Sequence, residues 1–87
     1  MKELKETTKL MTSADYKERF VAEYWQTKIR YEKLKAFCNK IEATFWHASI
    51  EEPEHDCSYD LLREQQKAMG EYLHILELRA VVEGIEL

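Results

Sequence analysis

Residues 20–45 read FVAEYWQTKIRYEKLKAFCNKIEATF. Within them Phe20, Tyr24, Thr27, Tyr31, Leu34, Cys38, Ile41 and Phe45 recur at intervals of 4-3-4-3-4-3-4. An apolar seam of this period, with no Gly or Pro inside it, predicts a long α-helix with coiled-coil-like packing. Upstream, Thr12-Ser13-Ala14-Asp15 is a start signal. A hydroxyl there can cap an orphan backbone N–H, and Asp15 adds favourable charge in the first turn. The helix is expected over about residues 14–47, roughly 50 Å at ~1.5 Å per residue. Val21, Trp25 and Ile29 make a second apolar row along its N-terminal half.

Past this helix the pattern breaks. Residues 47–58 read HASIEEPEHDCS, with Pro53 at the centre and four acids. An acidic loop over residues 48–58 then joins two antiparallel helices, with Asp56 or Ser58 as the next cap. The second helix is expected over about residues 59–83. It carries two adjacent heptad rows. One is Leu62, Gln66, Met69, Leu73, Leu76 and Ala80; the other is Leu61, Gln65, Ala68, Tyr72, Ile75, Arg79 and Val82. That is a wider face than one partner helix covers. Gly70 is isolated inside this helix, where glycine costs about 1 kcal/mol against alanine and permits close helix approach. Gly84 is placed to end it. The first 13 residues, with Leu4, Thr8 and Met11, read as an arm or short helix.

Composition narrows the class. The chain has 87 residues, 2 Gly and 1 Pro, too few for the tight turns of an all-β domain. It is 45% hydrophobic with ten aromatic residues, which argues against disorder. No apolar run approaches the ~20 residues of a membrane span, and the N-terminus has no apolar leader. A single cytoplasmic domain, residues 1–87, is expected. Cys38 lies on the apolar seam, and two cysteines do not make a disulfide framework. The net charge of −4 is divided unevenly. Residues 1–46 carry a net +3, and residues 47–87 a net −7. Mutual attraction of the two halves explains this better than a nucleic-acid surface, which shows a denser basic stripe. Polymeric nucleic acid is therefore not an expected partner, but a small anionic ligand is compatible.

Catalytic signatures do not converge. There is no phosphate loop, since neither glycine opens a helix, and no nucleophile elbow. His47, His55, Asp56 and Cys57 share the acidic loop, but a His-x-Cys step alone lacks the ligand spacing of a zinc site. The loop histidines read as solvated, and His74 as a surface residue. Neither an enzyme nor a cofactor or metal protein is expected. The row Gln65, Tyr72, Arg79 is more informative, because polar groups on a packed seam must find partners. These residues can fix helix register by hydrogen bonding. In an oligomer they can instead line a pocket, where Arg79 offers a planar fork to phosphate and Tyr72 a stacking ring. The first helix interleaves rings and cations, among them Tyr24, Trp25, Lys28 and Arg30. That combination suits nucleotides: a base stacks while a cation meets the phosphate.

The string from Leu61 to Arg79, with its double Leu, then Gln, Met69, Tyr72, a Leu pair and Arg79, resembles the signature of a small tailed-phage family. That family is named after an open reading frame of a crAss-like phage. Tyr31-Glu32-Lys33-Leu34-Lys35-Ala36-Phe37 is similar to its first-helix pattern of Glu-Lys-Leu followed by Phe. The resemblance covers about residues 16–80; the acidic loop and Trp46 stand outside it. More distantly, the build is similar to the oligomeric phage sponges that defeat CBASS and Thoeris immunity. Their N-terminal aromatic arm and Ala-Leu-Thr-Lys-Leu stretch do not occur here, so none of their ligand residues is carried over.

These readings converge on an all-α fold, an antiparallel hairpin of two long helices with an N-terminal arm or short helix, assembled as a homo-oligomer. The resemblance implies a phage-encoded, non-catalytic sponge in the cytoplasm of an infected bacterium. Its ligand would be a cyclic oligonucleotide or an ADP-ribose-type signal. Arg79, Lys28 and Arg30 are the expected phosphate contacts, with Gln65 on the same seam as Arg79. Tyr72, Tyr24 and Trp25 are the expected stacking rings. The alternative is a protein–protein interaction module that binds a host or phage protein through a helical face.

Overall fold

The computed structural model describes residues Met1–Leu87. The chain is all-α, with no strand. A 3-10 turn over Leu4–Thr7 runs into α1 (Thr8–Met11), followed by α2 (Tyr16–Ala43) and α3 (Tyr59–Glu83). No helix is long and apolar enough to cross a membrane.

Helix α2 starts two residues later than the expected residue 14, because Asp15 is itself the cap. Its carboxylate accepts the Lys17 N–H at 2.9 Å, and Ser13 Oγ accepts the Asp15 N–H at 3.0 Å. The helix also stops earlier than residue 47. From Thr44 to Trp46 the backbone bonds shorten to i→i+3, and Thr44 Oγ1 donates to the Ile41 carbonyl at 2.7 Å. This tightening is a common way to satisfy the last carbonyls of a helix. It swings Phe45 out of the seam, leaving it 60% exposed with its ring edge-on to Tyr59.

Helix α3 begins at Ser58, whose Oγ accepts the Leu61 N–H. It ends at Gly84, where φ is +67° and the Ile85 N–H returns to the Ala80 carbonyl at 2.8 Å. Only glycine takes that left-handed angle without a Cβ penalty. The same turn folds Ile85 into the core beside Phe20, Tyr24, Leu73, Leu76 and Ala80.

The two long helices are antiparallel. Tyr16 at the start of α2 bonds Glu83 at the end of α3, and Tyr59 at the start of α3 bonds Glu42 at the end of α2. Of the two rows on α3, the one containing Leu73, Leu76 and Ala80 faces α2 and is buried. The other row points outward: Leu61, Tyr72, Ile75 and Val82 are all exposed. On α2 the second row is covered within the chain. The arm packs on α2, with Leu10 beside Val21 and with Met1 and Lys2 beside Trp25 and Ile29. Ile29 is buried and Trp25 half-buried as a result. Of the two second rows, only the one on α3 is thus left largely exposed.

The acidic loop is also better anchored than its composition suggests. His55 is not solvated: it packs edge-on against Phe37, and its Nδ1 lies 2.6 Å from the Cys57 carbonyl. The ring contact with Phe37 ties the loop to α2, and the backbone bond to Cys57 is internal to the loop. Cys38 is buried and Cys57 exposed, both as free thiols.

Tyr24 shows how the core handles a polar tip. Its ring is buried, and its hydroxyl donates to Glu77 Oε2 at 2.7 Å. Burial, then the hydrogen bond to the Glu77 carboxylate, push the phenol up from 10.0 to about 12. The unfolded chain releases this proton near 10.0, the folded chain only near 12. The associated stability is therefore complete below pH 10.0 and is lost as pH rises toward about 12. Tyr24→Phe is expected to cost about 1.5 kcal/mol at neutral pH, the low end for a hydrogen bond to a charged group. It should also flatten the alkaline fall in thermal midpoint, measured by circular dichroism across that window.

Candidate functional site

The seven residues singled out in the sequence do not form one cluster. They separate into an outward row on α3, a groove beside the N-terminal arm, and two residues that stand apart from both.

On α3, Gln65, Tyr72 and Arg79 all lie on the exposed face. Gln65 donates to Met69 Sδ on its own helix at 3.9 Å. Arg79 is engaged within the chain. Its Nη2 donates to the Tyr16 hydroxyl at 2.7 Å, its Nε to Glu83 Oε2 at 3.2 Å, and its guanidinium carbon sits 5.0 Å from the Phe20 ring centre. Tyr16 in turn donates to Glu83 Oε1 at 2.9 Å. That bond to a carboxylate raises the Tyr16 phenol above its ordinary value. The three side chains tie the two free helix ends together.

The second group lies between α2 and the arm. Trp25 and Lys28 line a groove of about 350 Å³ with Lys2, Ile29 and Lys33. Ligand pockets of small molecules start near this size, at ~300 Å³. The groove joins an indole, an isoleucine and three ammonium groups to one acid, Glu32. Lys28 pairs with Glu32 at 3.1 Å and lies 5.9 Å from the Tyr31 ring centre. Tyr24 is behind the wall rather than in the groove. Its ring meets Trp25 edge-on with centres 5.3 Å apart, and its hydroxyl is held by Glu77. Arg30 is exposed on α2 and lines none of the three grooves.

Sequence reasoning missed Lys2 and Lys33. Lys33 was within reach, since it continues the Trp25–Ile29 row at the next i+4 step. Lys2 carries no local signal, because only the folding-back of the arm brings it to Trp25.

Arg63 was also missed. It donates to Asn39, Glu42, Tyr59 and Gln66, joining the end of α2 to the start of α3. The hydroxyl of Tyr59 and the guanidinium of Arg63 together hold the Glu42 carboxyl below the usual carboxylate range. Arg63 also borders the largest groove of the molecule, about 760 Å³ between α2 and α3 over Gly70.

No curated protein and no solved structure matches this chain. Residues 14–82, from just before the cap of α2 to the last turn of α3, match the sequence model of the Sequestin family. The match spans both long helices and the acidic loop between them, and on it the chain belongs to the Sequestin family.

Proposed function

We infer that the protein is a non-catalytic, phage-encoded sponge that sequesters a small anionic signalling nucleotide of host anti-phage immunity. The ligand class is a cyclic oligonucleotide or an ADP-ribose-type signal. The family's name supports sequestration of a ligand. The observation that carries the nucleotide reading is the groove where Trp25 and Lys28 stand together with Lys2 and Lys33. A base packs on an indole, and ammonium groups meet phosphate as point charges. In this reading the outward row of α3 serves self-association, placing Gln65, Tyr72 and Arg79 at a subunit boundary. Apolar side chains as exposed as Leu61 at 59% and Val82 at 84% support burial against another copy. Phosphate would engage there the Arg79 N–H groups that Glu83 and Tyr16 leave free.

A thermal-shift panel of cyclic oligonucleotides and ADP-ribose derivatives tests this directly. Ligand at 100 times its Kd adds about 2.7 kcal/mol of stability. For a domain of this size that raises the melting midpoint by about 10 °C or more. Light scattering should return a multiple of 10.4 kDa. A flat panel, together with recovery of a specific host protein, would replace the sponge by an interaction module. A monomer would remove the subunit boundary but leave the Trp25 groove standing.

A further inference from the structure

The groove over Gly70 has a composition that the preceding reading does not use. Arg63, Lys67, Gly70 and His74 are spaced 4-3-4 along α3 and all line it. At helical spacing they form one row, three basic side chains with a gap at the third position. The gap is filled from the other helix. A Cβ placed on Gly70 would stand 3.3 Å from Tyr31 Cε1 and 3.6 Å from the Tyr31 hydroxyl oxygen. Glycine therefore admits the Tyr31 ring to the floor of the groove, between Lys67 on one side and His74 on the other.

The charges are disposed unequally. Arg63 is held by Glu42 at 3.1 Å, so it is fixed in place and partly neutralised. Neither Lys67 nor His74 is ion-paired. Glu71 is the one acid lining the groove. Its volume, about 760 Å³, lies inside the ~300–1,000 Å³ range of small-molecule sites. A glycine in mid-helix weakens the helix relative to alanine. At this position it opens a ring-and-cation surface in return.

We propose that this groove is a second nucleotide site, taking a nucleoside monophosphate moiety with its phosphate between Lys67 and His74 and its base against Tyr31. The choice of ligand rests on the sponge reading above; the location does not. A chain with both grooves binds two such moieties, either of two molecules or of one larger signal each.

The chain has only two glycines and three histidines, which makes the test direct by NMR of the full-length, isotope-labelled protein. The probe is AMP, with adenosine and inorganic phosphate as partial ligands. Addition of AMP is expected to move the Gly70 amide and the His74 ring signals and to leave Gly84, His47 and His55 in place. Lys67→Gln is expected to weaken that response at least tenfold. Gly70→Ala, which Tyr31 accommodates by a shift of a few tenths of an ångström, should weaken it by a smaller factor without lowering the melting midpoint. A glycine kept only for packing would show the reverse, a lower midpoint and unchanged binding, and would overturn the proposal. So would static Gly70 and His74 signals at AMP concentrations that shift the Trp25 indole, an outcome that leaves the sponge reading intact. If neither Trp25 nor Gly70 responds to AMP, ADP-ribose or cyclic di-AMP, both readings fall.

Discussion

Reversing the charge of Lys28 and Lys33 together (K28E/K33E) is expected to lower nucleotide affinity by about 100-fold or more. Hydrogen bonds to charged groups contribute about 1.5–3 kcal/mol each, and about 1.4 kcal/mol is a factor of ten. Losing two such bonds therefore reaches this figure before any repulsion is added. Repulsion adds to it, since four of the charges lining the groove change from +3 and −1 to +1 and −3. The fold should survive. Lys33 is exposed, and the Lys28–Glu32 pair that is broken is an i,i+4 surface contact, worth a few tenths of a kcal/mol. Isothermal titration with the ligand identified by the thermal panel checks the affinity, and circular dichroism checks the helix content. Lys35→Glu is the control, because Lys35 is an exposed α2 lysine outside every groove. If K28E/K33E binds as tightly as the parent, the Trp25 groove is not the site. If Lys35→Glu is equally weakened, the effect is general charge and not the groove.

Leu76→Ala should have the largest effect on stability. Leu76 is fully buried at the centre of the cluster that includes Phe20, Tyr24, Leu73, Ala80 and Ile85. Truncating a buried leucine removes its transfer free energy and leaves a cavity, together about 3 kcal/mol. A chain of this length has only about 4–13 kcal/mol in all. The loss should lower the melting midpoint by about 12 °C or more. The adjacent Ile75→Ala is the informative contrast. Ile75 is 53% exposed, so its truncation should cost less than about 1 kcal/mol in a dissociated chain. A cost similar to that of Leu76 would mean that the outward row is already buried against another copy. Repeating both melts over a range of protein concentrations separates the two situations.

These two neighbours show how far the residues could be read unaided. The hairpin was legible because its signals are local and periodic. The 4-3 spacing from Phe20 to Ile41, Pro53 and the acids in the turn, Ser58 as a cap and Gly84 as a terminator each act within a few residues. Two local details shifted. Asp15 rather than a hydroxyl caps α2, and Thr44 draws the helix to a close before Phe45. The candidate site was legible only as ingredients. Rings and cations were visible, but Tyr24 went to the core and Trp25 to a groove although they are adjacent. Arg79 was engaged by Tyr16, a residue 63 positions away.

Helical period, chain reversal and helix ends follow from this sequence alone, since each depends on neighbours within a turn or two. Which face becomes core does not. The two rows on α3 are both largely apolar and differ by one residue, a rotation of about 100° around the helix. Local propensity cannot choose between them. The choice was made by what each row meets: Leu73, Leu76 and Ala80 meet Phe20, Tyr24 and the returning Ile85. Tertiary packing likewise laid the arm over the second row of α2 and brought Lys2 to Trp25, and it set Tyr31 against Gly70. Each of those contacts joins residues too far apart in the chain for any period to connect them.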